Sequence, residues 1–144
     1  MKLRIPLLFL SLPILFALSS MNAQGLESYQ WKNRILLLKD VKSDTDAVKE
    51  QLQLLRSEDT GLTERDLKIF IITEKVLTGD GEEAPLSASE IIKNFDLHDF
   101  QGIVLIGKDG GQKMKKPFVL APEEIFALID GMPMRRSEIR KKGE

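Results

Sequence analysis

The chain has no cysteine. That absence excludes disulfides, thiolate metal ligands and any peroxidatic or dithiol redox chemistry. Stability must then come from an apolar core alone. Histidine is almost as scarce: His98 stands by itself, which excludes His-rich metal clusters and multi-histidine zinc sites. There is one tyrosine, Tyr29, and one tryptophan, Trp31. Neither sign of charge dominates, with 21 Lys+Arg against 22 Asp+Glu. Nothing in that balance points to nucleic acid, whose binders carry net positive charge. Internal repeats and low-complexity linkers are also missing.

What is present begins with an export pattern. Met1-Lys2-Leu3-Arg4 is a short basic start, and an apolar stretch follows from Ile5 to Leu18, broken by Pro6, Ser11 and Pro13. Ser19-Ser20-Met21-Asn22-Ala23 closes it with small residues, as in a cleavable signal peptide over residues 1–23. The run is short of the roughly 20 apolar residues that a membrane span needs. Cleavage is expected after Ala23, with Ser19 as the alternative site; an uncleaved N-terminal anchor is the competing reading. Without a cysteine after the run, a lipoprotein anchor is excluded. Taking 23 residues from 144 leaves 121, enough for one domain with a real core. Losing Lys2 and Arg4 moves the net charge from −1 to −3. Base is concentrated after Lys113, and acid lies earlier, between Asp40 and Glu90.

The remainder alternates strand and helix patterns. Gly25–Asn33 is a lead-in. Arg34–Lys39 is a continuous apolar run of strand length, as in a central strand buried on both faces. Ser43-Asp44-Thr45-Asp46 has helix N-cap spacing, and Ala47, Val48, Leu52 and Leu55 continue an amphipathic helix to about Ser57. Gly61 punctuates it. Leu67–Ile72 is a second strand, and Leu77–Pro85 reads as a polar loop. Ser87 to Glu90 forms a capping box opening a short helix through Phe95. Ile103–Ile106 is a third buried strand. Lys108–Gly111 is a tight turn, returning Lys113–Val119 as an edge strand suited to its lysines and Pro117. Pro122 opens a helix that Asp130-Gly131 ends, with Pro133 preventing continuation. Met134–Lys142 is a basic tail with a helical turn or two. The order predicts a single three-layer α/β domain over residues 24–144, with a central mixed sheet of about four strands flanked by helices.

Four stretches carry a resemblance: Tyr29–Arg34, Glu64-Arg65-Asp66, Leu105–Gly111 and Ile129–Arg136. They resemble the domain of unknown function 4174 family, a thioredoxin- or peroxiredoxin-like domain of small exported bacterial proteins. It is similar to the domain of vertebrate sushi-repeat-containing extracellular proteins and of a coiled-coil-domain matrix protein. The resemblance covers about all of the chain after the signal. It implies a peroxiredoxin-like thioredoxin fold, an extracytoplasmic setting and no established activity, and it carries over no catalytic residue. Thioredoxin-like enzymes place a redox cysteine just after the first strand, where this chain has Lys39-Asp40-Val41-Lys42-Ser43-Asp44. They place a cis-proline before the third strand, where this chain has His98-Asp99-Phe100-Gln101-Gly102. Thiol–disulfide and peroxidase activity are therefore out of reach.

The leading site candidate is Arg135-Arg136. Two arginines present forked donors to carboxylate or phosphate, and Lys113, Lys115 and Lys116 could extend them into an anion-binding face. The competing reading pairs one arginine with Asp109 or Asp130 and leaves the other in solvent. Tyr29 and Trp31 are either an exposed aromatic anchor for a partner or packing over the end of the sheet. Arg65 fits a structural ion pair. His98 has no nearby nucleophile and reads as surface. The acids at Asp44, Asp46 and Glu50, and at Asp80, Glu82 and Glu83, lack a calcium-loop pattern. No metal or cofactor is expected. Two functions follow. One is an exported non-catalytic module that binds a protein or an anionic surface, with no membrane anchor after signal removal. The other is an enzyme using carboxylates such as Asp40 and Asp44, although no nucleophile–base pair is visible.

Overall fold

The computed structural model describes residues 25–144; the expected export signal at residues 1–23 lies outside the described residues. Strand β1 (Arg34–Lys39) is buried at every position. Its neighbours explain that. It pairs in parallel with β2 (Leu67–Ile72) on one side and antiparallel with β4 (Gly102–Ile106) on the other. The sheet order is β3-β2-β1-β4-β5, with β3 at Val76–Thr78 and β5 at Gln112–Lys116. The sheet thus has five strands where about four were expected. The extra one, β3, lies where the sequence reads as a polar loop. It is only three residues long and exists through its pairing with Phe70–Ile72.

Helices cover both faces. Helix α1 (Asp46–Arg56) turns Val48, Leu52 and Leu55 inward, and α2 (Asp59–Glu64) follows it at once. With α4 (Pro122–Asp130) they cover Leu36, Leu38, Ile71, Ile103 and Leu105. Helix α3 (Ala88–Asn94) covers Ile35, Leu37, Phe70, Val104 and Ile106 on the other face. Period-two alternation along β1 therefore divides one apolar run between two cores. Among the described residues, no helix is long and apolar enough to cross a membrane.

Three local expectations change. The α1 cap is Thr45, whose hydroxyl accepts from Val48 N at 3.3 Å, two residues after the expected Ser43. Gly61 lies inside α2 instead of ending α1. The tail is a ten-residue helix, α5 (Pro133–Lys142). Pro133 occupies its first turn, where a missing N–H costs nothing, so the residue that stops α4 starts α5. Ser87 caps α3 as expected, accepting from Glu90 N at 3.3 Å.

Candidate binding site at the ion-paired pole

At the end of the sheet where β1 begins and β4 finishes, three loops and α5 meet. Backbone bonds tie the loops together: Trp31 N donates to Lys108 O at 2.6 Å, and Arg34 N to Asp66 O at 2.9 Å. Asn33 Nδ2 donates to Asp66 O at 3.2 Å, and Gln30 Nε2 to Asp109 O at 2.9 Å. All four stretches that carry the sequence resemblance converge on this pole.

Charged side chains fill its interior. Arg34 is 1 % exposed, yet its guanidinium meets both carboxylate oxygens of Glu138, each at 3.2 Å. Lys108 bridges Glu138 at 2.7 Å and Asp66 at 2.8 Å. Arg65 grips Asp130 through two bonds of 3.0 and 2.7 Å and lies 4.2 Å above the Phe126 ring. Arg135 is buried; it donates to Asp130 at 3.2 Å and to Glu64 O at 2.8 Å. Burial pushes the carboxyls of Glu138 and Asp130 toward protonation. Hydrogen bonds from Lys108 and Arg34 to Glu138, and from Arg65 and Arg135 to Asp130, outweigh it and hold both pKa values below their ordinary positions.

The expected aromatic pair splits. Tyr29, on a 3-10 turn over Leu26–Tyr29, is half-buried and meets the Phe70 ring edge-on at 5.3 Å. Trp31 is 65 % exposed and sits at a φ of 65°, in the left-handed region. Next to it in the chain, Tyr29 and Gln30 line a cavity of about 340 Å³ together with Asn94, Phe95 and the buried Ile35, Ile91 and Ile106.

The expected anion-binding face does not assemble. Arg135 and Arg136 point to different environments: Arg135 is buried in ion pairs, and Arg136 is exposed. Lys113 is held by Asp109 at 2.8 Å, drawing that carboxyl's pKa down together with the Gly111 N–H. Lys115 caps the end of α3, donating to Asp96 O at 2.8 Å, with Phe100 4.9 Å away. Lys116 turns to the opposite face and pairs with Glu124. Arg65 takes the structural role expected of it. Arg34, Asp66, Lys108 and Glu138 are the residues that the sequence reading overlooked. Their common signal was membership in, or adjacency to, the four resembling stretches.

The opposite pole is where a thioredoxin-like enzyme keeps its cysteine. There Asp40 is buried, with one oxygen accepting from Val41 N and the other from Thr45 Oγ1, both at 2.7 Å. The carboxylate is committed to shaping the β1–α1 turn. Asp44 is exposed, as is His98. Gly102 closes the stretch that stands where a cis-proline is expected, with the Lys116 carbonyl where a side chain would begin.

No curated protein matches this chain. Its fold is similar to that of a reduced 2-Cys peroxiredoxin from Plasmodium vivax, with a TM-score of 0.56 and 16 % identity, covering 78 % of this chain and 84 % of that one. At that identity the likeness concerns the fold alone: a peroxiredoxin-like arrangement, here without cysteine. Residues 25–138 match the family described as a domain of unknown function, DUF4174, and the chain belongs to that family.

Proposed function

We propose that this chain is an exported, non-catalytic binding module that engages a protein partner through the pole bearing Trp31. The observation that carries the reading is the state of Trp31. A bulky side chain in the left-handed region costs about 1–2 kcal/mol, and this one gains little burial in return. A residue kept at a loss to stability is a candidate for function. Exposed tryptophan on a rigid frame is also the residue type most enriched among binding anchors. The frame is rigid because the lead-in is tied to Lys108 and Asp66 by backbone bonds.

An anionic surface is the weaker partner. Lys113, Lys115, Lys116 and Arg135 each spend their charge within the molecule. Carboxylate-based catalysis has less support still, because both Asp40 oxygens are engaged by their own loop.

Trp31 is the sole tryptophan, so its fluorescence reports this site alone. The test captures partners from the host's envelope and medium with the native protein and with Trp31→Ala. The captured partner is then titrated against Trp31 emission. Capture lost in the variant, with a blue shift on titration, is the expected result. A partner that binds both forms equally and leaves emission unchanged would refute the assignment of this pole.

A further inference from the structure

The cavity beside Trp31 differs in character from the charged interior next to it. Its apolar base of Ile35, Ile91 and Ile106 is covered, each no more than 2 % exposed, so the apolar surface open to a ligand belongs to Leu26, Tyr29 and Phe95. Tyr29 and Phe95 supply aromatic walls. Among the described residues, no lysine, arginine or histidine lines it. The polar lining groups are the acids Glu27 and Asp109 and the amides of Gln30, Asn33 and Asn94.

We infer that this cavity is a site for an organic cation on an apolar stem, a primary amine or guanidinium carried by an aromatic or aliphatic body. The size suits a small ligand, since such sites begin at about 300 Å³. The lining sets the sign of the charge. Glu27 is an exposed lining residue and makes no ion pair among the described residues, whereas Asp109 is already shared with Lys113. The aromatic walls add a further preference for cations over anions. An entering carboxylate would meet no lining cation and would lose its hydration without replacement.

This site is independent of the Trp31 reading, because Trp31 does not line it. Isothermal titration of the purified protein with 2-phenylethylamine, 2-phenylethanol and 3-phenylpropionate tests the charge preference. A fourth arm, Nα-acetyl-lysine methylamide, stands for a basic side chain of another protein. The expected result is amine binding at least about tenfold tighter than the alcohol, a free-energy difference of about 1.4 kcal/mol, with no heat from the acid. Tight binding of the capped lysine alone would equally support the site and assign its ligand to a protein. Asn94 is exposed, so Asn94→Lys keeps the fold while placing a cation at the wall, and amine binding is lost. Trp31→Ala, in contrast, keeps it. Binding of 3-phenylpropionate as tight as the amine, undiminished amine binding by Asn94→Lys, or no binding of either cation overturns the inference.

Discussion

Replacing Glu138 with glutamine attacks the device that holds α5 on the sheet. Helix α5 contributes no apolar side chain to either core, and its one buried residue is Arg135. Ten residues are too few for a helix to persist in water unaided, where about 12–15 are marginal. Docking therefore rests on charge. Glu138 accepts two bonds from Arg34 and one from Lys108. Glutamine keeps one acceptor oxygen, turns an NH₂ toward a donor and leaves Arg34 without its counter-charge. Breaking a buried pair from one side costs about 3–5 kcal/mol. Glu138 is 23 % exposed and Lys108 retains Asp66, so the cost falls below that range. We expect a loss of about 2–3 kcal/mol out of a total of about 5–15. At about 3–5 °C per kcal/mol, the Tm falls by about 6–15 °C. Urea titration reads the free energy. Limited trypsin digestion reads α5 itself, which carries exposed Arg136, Arg140, Lys141 and Lys142. The pH response has a fixed sign. The folded-state pKa of Glu138 is lowered, so its stabilisation is complete above the ordinary 4.5 and is lost as pH falls through the folded value. Glu138→Gln removes that part of the acid slope. A variant within about 0.5 kcal/mol of the native protein at pH 7, no more sensitive to trypsin and with an unchanged acid slope, would refute the ionic docking of α5.

Other substitutions separate neighbouring roles. Arg135→Ala leaves Glu64 O unpaired and Asp130 held by Arg65 alone, and should cost about 1–3 kcal/mol, whereas Arg136→Ala should stay within about 0.5 kcal/mol by thermal melt. Gln51 is fully buried and exchanges two bonds with the Leu120 backbone, at 2.9 and 2.8 Å. Gln51→Leu leaves both backbone groups unpaired and should cost about 2–4 kcal/mol in urea unfolding. Trp31→Gly relieves the left-handed conformation and should raise stability by about 0.5 kcal/mol after the entropy of glycine is counted; a loss above about 1 kcal/mol would show that Trp31 is structural.

The central strands were legible because burial on both faces demands an uninterrupted apolar run, and Ile35–Leu38 and Ile103–Ile106 supply one each. Helix α2 was not, because glycine inside a helix costs about 0.5–1 kcal/mol and reads as a break. Its reason is tertiary: a Cβ on Gly61 would fall 2.6 Å from the Phe126 ring of α4. Helix α5 was illegible for the opposite reason. Its inward residues are charged, so it shows no apolar period, and the groups that make its burial favourable lie 30 and 104 positions away. Gln51 occupied an inward position between Val48 and Leu55, but its partner is 69 residues distant. The aromatic lead-in and the motif arginines were visible as candidates. Which arginine reached solvent was decided by Asp130 and Glu138, whose placement only the fold reveals, and which aromatic did by the position of Phe70.

The Arg34–Glu138 pair also bears on the time course of folding. It closes a span of 104 residues, so both ends must be in place before it can form. Contacts of such long separation are commonly absent from the transition state of folding. The pair would then have little influence on how fast the chain folds and a large one on how slowly it opens. In a protein with no cysteine, a salt link of this kind would act on kinetics as a disulfide staple does: it lengthens the life of the folded state, and it does so without redox chemistry.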